Sequence, residues 1–214
     1  DQVPASASSP YNVAIGHHAA KNVTTGTNNI IMGGLAGESL NSGGSNIAIG
    51  YNSLGDETTG GNNIAIGSEA MSSSQLSQHN IAIGQQALQN VTLSSLNNSY
   101  NIGIGYNAGN DVTEGQKNIL IGGLAGSLMT TASDSIGIGY NALGGGSSTA
   151  ITGSGNVAIG RNAGSNTSSG NSNTAVGYEA GKAVTTGSKN TLIGGGAGDA
   201  INTGEYNVAV GYGA

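Results

Sequence analysis

A five-residue phrase, Asn-Ile-Ala-Ile-Gly at residues 46–50, recurs with small changes along almost the whole chain. Aligned on its closing glycine it occurs twelve times, and nine of the eleven intervals are 17 residues while two are 21. The closing glycines are Gly16, Gly33, Gly50, Gly67, Gly84, Gly105, Gly122, Gly139, Gly160, Gly177, Gly194 and Gly211. A fixed period of this size predicts an all-β solenoid of about twelve 17-residue coils, in which each repeat buries its apolar side chains against neighbouring repeats.

The composition of the chain is consistent with a thin aliphatic core and argues against several classes of function. Glycine is 40 of 214 residues and charged residues are 7%, values that without the period would indicate disorder. Isoleucine and valine recur at fixed phase, however, and can stack into a core. Cysteine is absent, so disulfides and thiolate metal sites are excluded. The net charge of −6 comes with no basic stripe, and no apolar run spans a bilayer, so neither nucleic acid binding nor membrane insertion is expected.

The period also divides the chain. Residues 1–10 carry both prolines and lie outside the repeats, which predicts a linker or N-terminal arm, and residues 11–214 form a single repeat domain. The two longer intervals add four residues after Gln89 and after Leu143, at roughly 91–98 and 144–152. Such insertions are expected to bulge out as loops, either as contact points or as tolerated variation in length.

Asparagine stands four residues before the glycine in every repeat but one, where Ser135 replaces it. Identical amides stacked about 4.8 Å apart can hydrogen-bond along the rod, so we predict a structural ladder. Its members are Asn12, Asn29, Asn46, Asn63, Asn80, Asn101, Asn118, Asn156, Asn173, Asn190 and Asn207.

The three residues before the glycine alternate in size. The first and last are β-branched or Met, which predicts a strand whose two larger side chains point into the core, while the small middle residue faces outward. The middle residue is large only at Ile31, Leu120 and Leu192, and there the residue after the glycine is itself glycine. We therefore expect these two positions to compete for one volume on the outer face. An apolar residue seven after the glycine predicts a second short strand, so that each coil has two or three strands.

Chemistry-bearing residues are sparse. Only Asp56 and Glu57 adjoin among the carboxylates, and neighbouring strand residues face opposite sides, so no catalytic pair is expected. His17 and His18 are neighbours, but neither His79 nor any other residue stands at a spacing recognisable for a third metal ligand. Neither a metal nor a cofactor is therefore predicted. The best candidates for a ligand or interface surface follow the closing glycine, where a tyrosine offers an apolar face and a polar tip, or else seals a seam by packing. They are Tyr51, Tyr106, Tyr140, Tyr178, Tyr212, His17 and Arg161.

The phrases NIAIGYNSL, NIGIGYNAG, SIGIGYNAL and NTAVGYEAG carry a family resemblance. They resemble the head repeats of YadA-like trimeric autotransporter adhesins, and more closely the repeats of phage and giant-virus tail fibres that precede endosialidase-type chaperone domains. The resemblance covers everything after Pro10. It implies a left-handed parallel β-roll, three chains assembled side by side as a homotrimer, and an adhesive or structural shaft.

The function expected from the sequence is that of a non-enzymatic fibre segment, extracellular, at a cell surface or on a virion. It would act as a shaft and as an adhesive surface toward a cell-surface glycan or receptor. The alternative is a self-polymerising extracellular filament subunit, because the first coil (NVAIGHHAA) and the last (NVAVGYGA) are near copies that could stack head to tail. A surface-binding solenoid with a threonine-rich face is a third hypothesis, although its Thr pairs do not recur on every coil.

Overall fold

The computed structural model describes residues 11–145 and 149–214, and within these ranges the chain forms β-strands and turns but no helix, hence no helix that could cross a membrane. Twelve strands form one parallel sheet in chain order, and β5 and β7 form a second. The strands are β1 Val13–Ile15, β2 Ile30–Met32, β3 Ile47–Ile49, β4 Ile64–Ile66, β5 Gln75–Gln78, β6 Ile81–Ile83, β7 Thr92–Asn98, β8 Ile102–Ile104, β9 Ile119–Ile121, β10 Ile136–Ile138, β11 Val157–Ile159, β12 Thr174–Val176, β13 Thr191–Ile193 and β14 Val208–Val210. The predicted parallel β-solenoid is confirmed.

Every strand of the large sheet pairs with residues of the same phase in the next coil. Ala48 lies opposite Ala65, and Ile81 lies opposite Ile102 even though a 21-residue interval separates them. The insertions therefore leave the register of the sheet unchanged. The closing glycines continue the ladder, since the Gly67 N–H donates to the Ile49 carbonyl at 2.8 Å.

The closing glycine is required by its backbone. Gly67 has φ +138°, and a Cβ at this position would lie 2.5 Å from the carbonyl oxygen of Gly84 in the next coil. Other residues rarely adopt this φ, and the contact leaves no room for a side chain. The same glycine recurs in every coil because adjacent coils approach this closely at this corner.

The two faces of the sheet are the reverse of the prediction. In every coil except the first and last, the middle residue of the strand is buried, whereas the first and last residues are half-buried or exposed. The prediction that the paired β-branched residues fill the interior is therefore wrong. The strands instead turn their middle residue inward, which is small in most coils, and Ala48 and Ala65 are completely buried.

The size compensation also lies inside. A Cβ on Gly126, four residues after the closing glycine, would lie 2.6 Å from Leu120 Cδ2, and one on Gly37 would lie 3.2 Å from Ile31 Cδ1. Where the middle residue is small, this fourth position often carries a large buried side chain, as at Leu54, Met71, Leu88 and Leu143. The expected competition with the residue directly after the glycine is wrong, because the middle residue is buried and that residue lies on the outside; the position that exchanges volume with the middle residue is the fourth after the glycine, across the core.

Most coils contain one strand rather than two or three. The residues seven after the glycine are largely buried, as Val112 and Val184 are, but the chain there consists of turns held by coil-to-coil bonds such as Thr24 N–H to Asn41 O at 2.9 Å. The only described exceptions are the β5–β7 pair and a single bridge between Met129 and Ile151.

The insertions differ from each other. The first, expected as a loop, is strand β7, which pairs with β5 through an irregular register. The second is described on either side of 146–148, and those three residues lie outside the described ranges. The predicted linker or arm at 1–10 also lies outside them.

Buried asparagines run along the interior edge of the sheet. The Asn46 N–H donates to Asn29 Oδ1 at 2.9 Å, and Asn46 Nδ2 donates to the Gly60 carbonyl at 3.0 Å, a pattern repeated from coil to coil. Where serine replaces asparagine, Ser135 Oγ accepts the N–H of Asn156 at 3.2 Å. Each amide thus ties two neighbouring coils and satisfies backbone groups that would otherwise be buried without partners.

Candidate functional site

The most unusual surface of the molecule is the outer side of the large sheet. We call it the isoleucine face: the first and last residues of the twelve strands of that sheet, all of which are Ile, Val, Met or Thr. With strands about 4.8 Å apart, the face is about 53 Å long. Its most exposed members, from 36% for Met32 to 75% for Val208, are Val13, Ile15, Ile30, Met32, Ile83, Ile138, Ile159, Ile193, Val208 and Val210.

This face has no charged residue along its whole length. Continuous apolar patches of this kind are uncommon on proteins that remain monomeric, and they mark sites of association. The face is also built on a rigid element, since every strand beneath it is paired on both sides except β1 and β14.

Along one border of the face lies a row formed by the residue directly after each closing glycine. We call this row the following rim. All seven predicted surface residues lie on it, and all are exposed. Tyr51 leans toward the previous coil, because a Cβ on Gly34 would lie 3.7 Å from its ring. The Arg161 guanidinium likewise lies 5.7 Å from the ring centroid of Tyr178. His17 instead stacks on its neighbour His18, with ring centroids 3.9 Å apart.

The opposite border is the residue five before each glycine, which we call the preceding rim. It carries three exposed tyrosines that the sequence analysis did not select: Tyr11, Tyr100 and Tyr206. Tyr100 stacks on His79 of the previous coil at 5.0 Å, and the Lys189 ammonium lies 4.7 Å from the Tyr206 ring. The Tyr206 hydroxyl, 2.6 Å away, raises the pKa of Lys189. Their common phase in the repeat was the sequence signal that could have identified them.

No protein-family model, curated protein or solved structure matches this chain. What the chain does must therefore be inferred from the arrangement of its own side chains.

The adjoining carboxylates do not share a cleft. Asp56 is exposed, whereas Glu57 is completely buried. Glu57 Oε1 accepts the backbone N–H groups of residues 58–60 at 2.7–3.2 Å and that of Leu76 at 3.1 Å, and Oε2 accepts the N–H and the hydroxyl of Ser77 at 3.0 Å. This carboxylate holds two turns together and is closed to any substrate.

The salt bridges of the described residues lie at the surface. Glu38 lies 3.2 Å from Lys21 and 3.3 Å from His18, and the hydrogen bond from Lys21 lowers the pKa of Glu38. Across residues 11–145 and 149–214, no three His, Asp or Glu side chains converge as a metal site would require. The isoleucine face with its two rims is therefore the candidate functional site.

Proposed function

We propose that this chain is a segment of an extracellular or virion structural fibre, in which copies of the chain associate side by side through the isoleucine face. The observation that carries the proposal is the unbroken apolar face itself. The sequence resemblance to trimeric fibres makes a homotrimer the expected assembly.

The size of the face supports a stable contact. The isoleucine face itself is three residues wide, about 10 Å at 3.3 Å per residue, so with its length of about 53 Å it covers roughly 500 Å², and the two rims that border it supply the rest of the contact area. A stable interface takes about 800 Å² from each partner. An apolar centre bordered by tyrosines and polar side chains is the usual organisation of such an interface.

Stiffness supports the role of a shaft. Each coil is bonded to the next by the sheet, the asparagine ladder and the turn carbonyls, so the rod cannot bend without breaking backbone hydrogen bonds. Side-by-side association would stiffen it further while removing the apolar face from water.

Attachment to a cell or glycan is the second part of the proposal. Tyr51, Tyr140 and Tyr178 are each slightly more than half exposed, and the Tyr51 and Tyr140 rings lie over glycines of the previous coil. A flat aromatic surface with a free hydroxyl edge suits the apolar face of a sugar ring. Replacing all three by alanine should weaken binding to glycan-bearing cells, and light scattering of the variant separates this loss from a loss of assembly, because the same tyrosines border the isoleucine face. Unchanged binding would exclude these tyrosines as the attachment surface.

The assembly is tested by light scattering across a concentration series. A mass three times the 20.7 kDa chain is expected. The variant Ile49→Glu/Ile66→Glu/Ile83→Glu places charges in the face and should give a single-chain mass with an unchanged β-sheet circular dichroism spectrum. The control Thr25→Glu/Thr131→Glu/Thr186→Glu adds the same charge at exposed positions in the turns, away from the face, and should keep the wild-type mass.

The outcomes separate the hypotheses. A mass that rises with concentration, and does not respond to the charged face variant, would favour head-to-tail polymerisation through the terminal coils. A wild-type chain that stays at 20.7 kDa at every concentration would refute lateral assembly.

A further inference from the structure

We propose that tyrosines on the two rims pair between neighbouring chains, Tyr100 with Tyr106 and Tyr206 with Tyr212, and that these pairs fix the axial register of the assembly. This inference rests on the lateral self-association proposed above. It adds the side chains that align one chain against the next, which the isoleucine face cannot do because it is nearly the same in every coil.

Symmetry decides which residues meet. A rotation about an axis parallel to the long axis of the solenoid keeps every coil at its own height, so each coil faces the same coil in the neighbouring chain. The rotation also brings the preceding rim of one chain against the following rim of the next. This holds for two, three or more parallel chains.

The distribution of tyrosines fits this pairing. Tyrosine occupies the preceding rim in only three coils, the first, sixth and twelfth, at Tyr11, Tyr100 and Tyr206. In the same three coils the following rim is aromatic as well, at His17, Tyr106 and Tyr212. The aromatic pairs thus stand at both ends and in the middle of the described solenoid.

A slip of one coil destroys the match in either direction. Slipped toward the C-terminus, Tyr11 would face Gly34 and Tyr100 would face Gly123. Slipped toward the N-terminus, Tyr100 would face Gln85 and Tyr206 would face Gly195. Glycine and glutamine offer no ring to pack against, and a slip toward the C-terminus would gain one aromatic contact, His79 with Tyr106, while losing all three in-register aromatic pairs.

The rim tyrosines contact the coil that precedes their own. Tyr100 leans onto His79 and Tyr206 onto Lys189, each in the previous coil. Tyr212 leans in the same direction, because a Cβ on Gly195 would lie 3.3 Å from its ring. Both members of the pair formed by Tyr206 and Tyr212 therefore contact the previous coil.

Photo-oxidative tyrosine coupling tests the register directly. A mixture of ¹⁴N- and ¹⁵N-labelled chains would be co-assembled, irradiated with a ruthenium photo-oxidant and persulfate, digested and analysed by mass spectrometry. We expect mixed-isotope dityrosine linking Tyr100 to Tyr106 and Tyr206 to Tyr212. The mixed isotopes identify a link between chains, because a link within one chain would carry a single isotope.

Two phenylalanine variants provide the comparison. Tyr106→Phe keeps the ring but cannot form dityrosine, so it should abolish the link to Tyr100 and leave the link between Tyr206 and Tyr212. Tyr140→Phe removes a rim tyrosine whose own coil has Asp134 on the preceding rim, and should leave both links at wild-type yield.

The failures are distinguishable. An assembly of constant mass in which Tyr100 couples mainly to Tyr51 or Tyr140, or to no tyrosine, would overturn the register proposal and leave lateral assembly standing. Links between Tyr11 and Tyr206 would show antiparallel chains, in which each rim meets the same rim of its neighbour, and would overturn it as well. A single-chain mass in the scattering experiment would overturn both proposals.

Discussion

The buried carboxylate of Glu57 gives the sharpest test of the interior. At this phase other coils carry apolar residues such as Val91 and Val112, yet Glu57 is completely buried. We expect Glu57→Gln to destabilise the solenoid strongly, although glutamine has almost the same size and shape.

The magnitude follows from the hydrogen bonds. Glu57 Oε1 accepts four backbone N–H groups and Oε2 accepts the N–H and hydroxyl of Ser77. A glutamine amide has a single acceptor atom, so whichever way it turns, its NH₂ group faces a buried N–H. One unsatisfied buried donor costs about 1–3 kcal/mol, and the remaining bonds lose their ionic character, so we expect a loss of about 2–4 kcal/mol in the free energy of unfolding.

Urea denaturation followed by circular dichroism measures this loss, and amide hydrogen exchange locates it at Leu76 and Ser77. Glu114→Gln is the control, because Glu114 is exposed, and its free energy of unfolding should change by less than about 0.5 kcal/mol. If Glu57→Gln were as stable as the control, the carboxylate would not hold the two turns together and the account of this coil would be wrong.

Three further results are expected. Ala48→Leu should lower the free energy of unfolding by about 1–3 kcal/mol, because it overpacks the core. The double variant Ala48→Leu/Leu54→Gly imitates Leu120 with Gly126, so in a urea double-mutant cycle it should lose less than the sum of the two single variants. Strict additivity would refute the cross-core compensation. Gly67→Ala should lower the free energy of unfolding by roughly 3 kcal/mol, because φ is +138° and the new Cβ would lie 2.5 Å from the Gly84 carbonyl oxygen. The control Gly196→Ala, whose Cβ would have no neighbour within 4 Å, should lower it by about 1 kcal/mol. Thermal unfolding measures both, and equal losses would contradict the close approach of the coils. Lys21→Ala should raise the pKa of Glu38 toward its ordinary value in an NMR titration, since Lys21 is the main cause that lowers it, and an unmoved midpoint would mean that the pair does not form in solution.

The period of the chain allowed most of the architecture to be predicted. The closing glycine marks the corner where coils approach most closely, and the strand precedes it in every coil. The asparagine position could be selected because identical amides in register have an obvious set of partners. These features repeat coil after coil, so a single sequence contains twelve versions of the same observation.

The side of the sheet that faces the core could not be predicted from alternation alone. A strand such as Ile47–Ile49 shows that its first and last residues share a side, but it does not show which side is inside when both are apolar. Choosing the larger residues for the core reversed the two faces. The buried asparagine gave an unused signal, because Asn46 and Ala48 lie two residues apart and so belong to the same side.

The reversal has a physical cause that also explains the exposed face. Across the core, Leu120 and the completely buried Met129 leave no room for a side chain at Gly126, so only one of the two facing positions is large in that coil. The two isoleucines of a strand cannot both fit on the inner side, where one leucine already requires a glycine opposite it. The isoleucines are therefore excluded from the core by their volume and not by their polarity. The narrow coil leaves its most hydrophobic residues on the outer side of the sheet. If copies associate as we propose, a solenoid built on this repeat would gain stability in proportion to its length, so we expect lateral assembly to depend on the repeat itself and not on any one coil.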